Sequence, residues 1–102
     1  MVTPYVIHET GLTSLFTSHA NARFRSLYAQ LSDDVQKQAD KQFALFRSDP
    51  FHPSLRLKPI GGVWSVRINR SYRALARRKD DSFYWFWIGT HSEYERILEP
   101  AH

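Results

Sequence analysis

The chain has 102 residues, enough for one small domain with one core. Its hydrophobic content of 42% and aromatic content of 15% exclude a disordered chain, and the lack of cysteine excludes disulfides and thiolate metal sites. The net charge of +4 is unevenly spread: no acidic residue lies between Asp49 and Asp80, where Arg56, Lys58, Arg67, Arg70, Arg73, Arg77, Arg78 and Lys79 make up eight of the 14 basic residues, a field suited to nucleic acid or an acidic protein.

The N-terminal "MVTPYVIHETGL" has no basic n-region, and no apolar run approaches the roughly 18 residues of a membrane span. A cytoplasmic chain with no membrane partner is therefore expected. Residues 1–11 read as an arm or a short edge strand, and "SLFTS" (14–18) as a first strand. Phe24, Leu27, Tyr28 and Leu31 then recur with helical spacing, and Val35, Ala39, Phe43 and Phe46 form a second stripe. Between them Ser32 is a good N-cap, followed by Asp33 and Asp34, whose charge suits a helix start. Asp49-Pro50 ends the second helix, because the residue before proline is pushed out of the helical region.

After Pro53 the period changes to two. "SLRLKPI" (54–60) reads as a strand with Leu55 and Leu57 on one face, Arg56 and Lys58 on the other. "GG" (61–62) turns the chain. Trp64, Val66 and Ile68 then alternate with Ser65, Arg67 and Asn69, and Tyr72, Ala74 and Ala76 with Arg73, Leu75 and Arg77. "FYWFWI" is apolar on both sides, as a central strand covered on both faces would be. "SEYERIL" allows one or two helical turns. The expected architecture is α+β over a single domain, residues 1–102. Two N-terminal helices pack on one face of an antiparallel meander, with a short C-terminal helical turn. The other face would then be open and basic, carrying Arg56, Lys58, Arg67, Arg73 and Arg77. Trp64, Phe83, Trp85 and Trp87 are expected in the core.

The helix–helix–meander order, "FHPSLRLKPIGGVWSVRINRSYRALARR" and "FWIGTHSEYERIL" together resemble the RelE/ParE superfamily of toxins from type II toxin–antitoxin modules, over roughly residues 20–98. The resemblance implies a toxin held inactive by a cognate antitoxin. RelE-, YafQ- and HigB-like members are ribosome-dependent endoribonucleases acting on mRNA, whereas ParE-like members share the fold and inhibit DNA gyrase without the nuclease residues. By motif, Arg73 in "SYRAL" corresponds to the arginine that holds the scissile phosphate. Arg67 stands where the RelE branch has a basic residue, and His91 in "GTHSE" matches the proton-transferring histidine of YafQ-like members. The chain departs from the pattern in three places: Ser65 replaces a RelE lysine, Tyr94 follows His91 by three residues, and Glu95 replaces a YafQ phenylalanine.

RNA cleavage through the 2′-OH needs a base for its proton, cations on the phosphorane-like charge, and an acid for the departing 5′ oxygen. Histidine, with an ordinary pKa of about 6.5, can be the acid or the base, which makes His91 the leading candidate. It would be placed by the strand end and a Gly89-Thr90 turn. Arg67 and Arg73 would clamp the phosphate, guanidinium forks matching its geometry. Arg56, Lys58 and Arg77 would bind backbone phosphates. Tyr94 would stack on a base or donate its hydroxyl, and Glu93 is a further candidate base. His52 is expected to organise its own turn. No cofactor is implied, and no paired carboxylates or His-x₃-His spacing point to a metal.

Overall fold

The two periodicities resolve into three helices and six strands among the described residues, which in the computed structural model are 2–4 and 16–98. The strands are β1 (Val2–Pro4), β2 (Thr17–Ala20), β3 (Lys58–Ile60), β4 (Val63–Arg67), β5 (Tyr72–Lys79) and β6 (Ser82–Thr90). The helices are α1 (Ala22–Ala29), α2 (Asp33–Ser48) and α3 (His91–Leu98). They form one sheet in the order β1-β2-β6-β5-β4-β3. The segment β3 to β6 is the expected antiparallel meander. β2 departs from it and runs parallel to β6, pairing Ser18 with Phe83 and Ala20 with Trp85. Both helices and the rest of the meander lie between these two strands in sequence, which is the long crossover a parallel pair requires. β1 adds an antiparallel edge strand to β2. Residues 5–11 of the expected arm, and Ser14 and Leu15 of "SLFTS", lie outside the described residues. The strand expected there pairs over Thr17–Ala20 instead.

The helices start where their caps dictate. The Asn21 side chain accepts from the Phe24 N–H at 2.8 Å, and Ser32 Oγ accepts from the Val35 N–H at 3.4 Å. Phe24, Ala39, Phe43 and Phe46 pack against Val66, Ala74, Ala76, Phe83, Trp85 and Ile88 in the main core. The rings meet edge to face, Phe43 at 5.0 Å and Phe46 at 5.4 Å from Trp85. The indole N–H of Trp85 is satisfied by buried Ser18, 2.7 Å away.

The expected strand over 54–60 is shorter than its alternation suggested. Pro53–Leu55 forms a 3₁₀ turn, Arg56 is left-handed at φ 47°, and pairing begins only at Lys58. The cause is local. His52 Nδ1 accepts from the Ser54 N–H at 3.2 Å, and Pro53 is pre-set for a helical first position. Leu55 is still fully buried in the main core, but from a turn.

The second face of the sheet is not left open. β5 and β6 pair Leu75 with Trp87 and Ala76 with Trp85, so Phe86 is an extra residue in a β-bulge. Phe83, Trp85 and Ile88 stay in the main core, while Phe86 and Trp87 join a smaller cluster with Leu75, Tyr94 and Leu98. Successive strand residues point to opposite faces, so Leu75 lies on the side away from Ala74 and Ala76. α3 covers that side. It is an eight-residue helix of about two turns, the length expected, and it occupies part of the face expected to be bare.

β6 runs into α3 without a turn; Gly89 and Thr90 are its last residues. Glycine is needed at 89 for space rather than conformation. A Cβ there would stand 2.6 Å from Trp87 Cζ2 and 3.1 Å from Glu93 Oε1. The helix start is a reciprocal capping box. The Glu93 N–H donates to Thr90 Oγ1 at 3.2 Å, while Glu93 Oε1 accepts from the Thr90 N–H at 3.1 Å and its hydroxyl at 2.9 Å. The His91 N–H donates to Ser71 O at 2.7 Å, tying α3 to the turn between β4 and β5. Among the described residues no helix is long and apolar enough to cross a membrane.

Gly89→Ala should destabilise the fold by about 1–3 kcal/mol through overpacking against the Trp87 ring, read as a lower thermal midpoint. The Glu93 box gives a pH signature. Hydrogen bonds from the Thr90 backbone, then from its hydroxyl, hold the Glu93 carboxyl below the usual carboxylate range. Its contribution is therefore present above the unfolded glutamate pKa and lost as pH falls through the lower folded one. Glu93→Gln should remove about 0.5 kcal/mol or less at neutral pH, given solvent screening of this exposed group, and nothing at strongly acidic pH. Urea unfolding of both chains at the two pH values measures this.

Candidate functional site

Arg67 and Arg73 are direct antiparallel partners on β4 and β5, so their side chains leave the sheet on the same face. Like charges so placed repel, yet among the described residues neither has a carboxylate partner. Arg73 is held by the backbone instead, Nη1 donating to Asn69 O at 2.7 Å and to Tyr72 O at 2.9 Å. Asn69 in turn builds the turn from 69 to 71, its Oδ1 accepting from Ser71 N at 2.7 Å and Tyr72 N at 2.9 Å. Its amide donates to Gln38 Oε1, and Gln42 Nε2 donates to Arg67 O at 3.0 Å. Two glutamines of α2 thus brace the turn that holds the clamp. Burial, and then the charge of Arg67, push the Arg73 pKa down; Tyr94 opposes this and Arg56 adds to it. Arginine remains a cation even so, and an uncompensated cation group is stabilised by an incoming anion.

His91 is the first residue of α3, and its side chain is 43% exposed. Its Nδ1 lies 3.0 Å from Glu95 Oε1, one helical turn on. An ionised carboxylate only accepts, so Nδ1 carries a proton, and in the neutral ring Nε2 keeps its lone pair. The imidazole lies 5.4 Å from the Tyr94 ring, which supports it from the cluster side. His91, Thr90 and Ser92 line a shallow cleft of about 370 Å³ with Arg70, Ser71 and Arg73. The structure therefore brings His91 and Arg73 to one cleft, with Arg67 opposite Arg73 in register.

The remaining candidates separate. Tyr94 is only 6% exposed in the smaller cluster, which leaves no ring face for a base. Glu93 is occupied by the capping box. Arg56 is near enough for its charge to be felt at Arg73. Lys58 pairs with Ser65, exposed on the edge strand. Arg77 lies 5.3 Å over the Phe86 ring and lines a groove with Ile97 and Leu98, at the opposite end of α3 from His91. His52 organises its turn. Among the described residues no group of three His, Cys, Asp or Glu side chains is placed to hold a metal ion. The sequence reading missed two residues of the site. Arg70 carried no signal beyond its charge. Glu95 was a mismatch to the family pattern, although its i, i+4 spacing from His91 was the signal for a pair on one helix face.

The ParE-like toxin domain family matches residues 33–96, which hold α2, the whole meander and most of α3. No curated protein sequence matches significantly. Among solved structures the chain is similar to YafQ from E. coli strain BL21(DE3), with 9% identity, 76% of this chain and 94% of that one covered, and a TM-score of 0.62. It is similar to the RelB–RelE antitoxin–toxin complex from Methanococcus jannaschii, with 10% identity, coverage of 79% and 99%, and a TM-score of 0.62. It is also similar to the YoeB/ParE toxin from Agrobacterium tumefaciens, with 17% identity, coverage of 72% and 96%, and a TM-score of 0.57. At such identities these structures show a shared fold, while the family match spans more than half of the chain. The chain belongs to the ParE-like toxin domain family and shares its fold with the YafQ, RelE and YoeB/ParE toxins.

Proposed function

We propose that this toxin is a ribosome-dependent endoribonuclease that cuts mRNA and so blocks translation. The observation that carries the reading is a histidine sharing one cleft with an arginine, where among the described residues neither His91 Nε2 nor the Arg73 guanidinium has a carboxylate partner. Arg73 and Arg67 bind the non-bridging oxygens of the scissile phosphate. Nε2 of His91 takes the proton of the 2′-OH, whose oxygen attacks phosphorus. The bond from phosphorus to the 5′ oxygen breaks, that oxygen takes a proton from solvent or from the His91 imidazolium, and a 2′,3′-cyclic phosphate and a 5′-OH result. Glu95 stabilises the imidazolium formed on the way. The ribosome enters through the likeness to RelE and YafQ.

The solved complexes of RelB with RelE and of DinJ with YafQ support a cognate antitoxin as the second partner. An acidic or amphipathic segment crossing the basic side of the sheet would neutralise the arginines.

The ParE-like family match favours a second reading, inhibition of DNA gyrase without nuclease activity. A pure inhibitor has no use for a free imidazole lone pair beside an arginine clamp, and this favours the nuclease.

Expression in cells with separate readouts of mRNA integrity and DNA supercoiling decides between them. Broken mRNA with normal supercoiling is expected; intact mRNA with altered supercoiling selects the gyrase reading. On translating ribosomes, His91→Asn should slow cleavage at least tenfold while ribosome binding persists. Arg73→Ala should abolish growth arrest with an unchanged circular dichroism spectrum. Full toxicity of Arg73→Ala would remove the clamp from the mechanism.

A further inference from the structure

We infer that the cleft between α2 and the turn joining β4 to β5 is a second subsite, one that holds the phosphate backbone of single-stranded RNA leaving the His91–Arg73 cleft. The inference rests on the nuclease reading and extends it to the path of the substrate strand.

This cleft measures about 340 Å³ and is lined by Gln38, Lys41, Gln42, Ser54, Arg67 and Arg70, among others. Arg70 also lines the catalytic cleft, so the two adjoin at that side chain. Arg73, Arg70, Arg67 and Lys41 thus form a run of cations across both, and among the described residues no carboxylate lines either one. A polymer with one negative charge per repeat fits such a run. The walls are pre-set, since Gln42 holds Arg67 O and Gln38 holds the Asn69 amide. Lys41, Ser54 and Arg70 are exposed and available.

The chemistry of the floor selects which polyanion and how it is read. No aromatic ring lines the cleft, so bases have nothing to stack on and binding is to phosphate and sugar, tolerant of sequence. An acidic protein segment would bring apolar anchors, and here it would find only Ile68. The apolar concavities lie elsewhere, by Ile97 and Leu98 and in a cavity of about 410 Å³ between α1 and α2. That second cavity contains Asp40, which accepts from the Tyr28 hydroxyl at 2.5 Å. Burial and this carboxylate push Tyr28 up to about 12, so the phenol stays neutral, and the wall mixes Asp40 with Arg25 and Arg47 over apolar rings instead of offering cations alone.

The test is binding of a fluorescent single-stranded RNA dodecamer to the full chain carrying His91→Asn, measured against salt. Each lost phosphate contact on a single strand makes the slope of log K against log salt shallower by about 0.7. Lys41→Gln and Arg70→Gln should each do so and weaken low-salt binding several-fold, equally for oligo-U and oligo-A. Arg23→Gln, an exposed cation on α1, is the control for net charge. Lys41→Gln is the decisive variant, because Lys41 lies outside the catalytic cleft. If it behaves like Arg23→Gln, the subsite is wrong and the nuclease reading stands. If Lys41→Gln flattens the slope but the parent chain cuts no mRNA, the subsite stands and the nuclease reading falls. If the dodecamer does not bind while a poly-glutamate peptide binds and is lost in Lys41→Gln, the cleft serves an acidic protein and the proposal is overturned.

Discussion

The position of the candidate site depends on how α3 docks onto the sheet through Trp87, Leu75 and Tyr94. An isolated helix of eight residues has no stability of its own in water. Fully burying each large apolar side chain contributes on the order of 1.5–3 kcal/mol, against about 1 kcal/mol for an N-cap and 0–1 kcal/mol for an exposed ion pair. Packing therefore fixes where the helix lies, and the Thr90–Glu93 box fixes where it begins. The bulge at Phe86 makes this possible by sending Trp87 to the face opposite Trp85. In unbroken alternation Trp87 would share a face with Phe83 and Trp85, and α3 would lose its largest contact on the sheet. Gly89 then lets the indole lie flat against the backbone, two residues before His91.

Electrostatics acts on this frame as a deliberate imbalance. Arg67 and Arg73 are set opposite each other, the Arg73 guanidinium anchored on carbonyls rather than carboxylates, with Arg56 and Arg70 close by. That arrangement is unfavourable in the empty protein and is relieved by an anion. Gln38 braces the turn at 69–71 and Gln42 the end of β4, which fixes the Asn69 carbonyl that Arg73 grips.

Much of this was legible before any coordinates. Both helical stripes, the Ser32 cap, the stop at Asp49-Pro50 and the meander follow from local spacing, and the structure contains them. What was not legible depends on distant or competing contacts. The parallel seating of β2 is a tertiary choice of partner. "FYWFWI" is apolar throughout, so its bulge leaves no mark in the pattern. "SLRLKPI" alternates like a strand, but His52 and Pro53 fold its first residues into a 3₁₀ turn. Arg77 lies on the expected face but over the Phe86 ring, at the far end of α3 from the arginine pair, and Arg78, on the alternate side, lies 5.0 Å from Phe16 and 5.1 Å from Trp64. The capping role of Glu93 is readable in the Thr90-x-x-Glu93 spacing, although a carboxylate near a strand end also reads as a candidate base.

The central claim is that α3 presents His91 with Nδ1 bonded to Glu95 and Nε2 free beside Arg73. The most direct measurement is a long-range ¹H–¹⁵N spectrum of the His91 ring in the full chain, with the imidazole neutral. The account predicts the Nδ1–H tautomer, shifting toward Nε2–H in Glu95→Ala. An Nε2–H tautomer in the wild-type chain would contradict it, because the nitrogen that must accept the 2′-OH proton would already carry one.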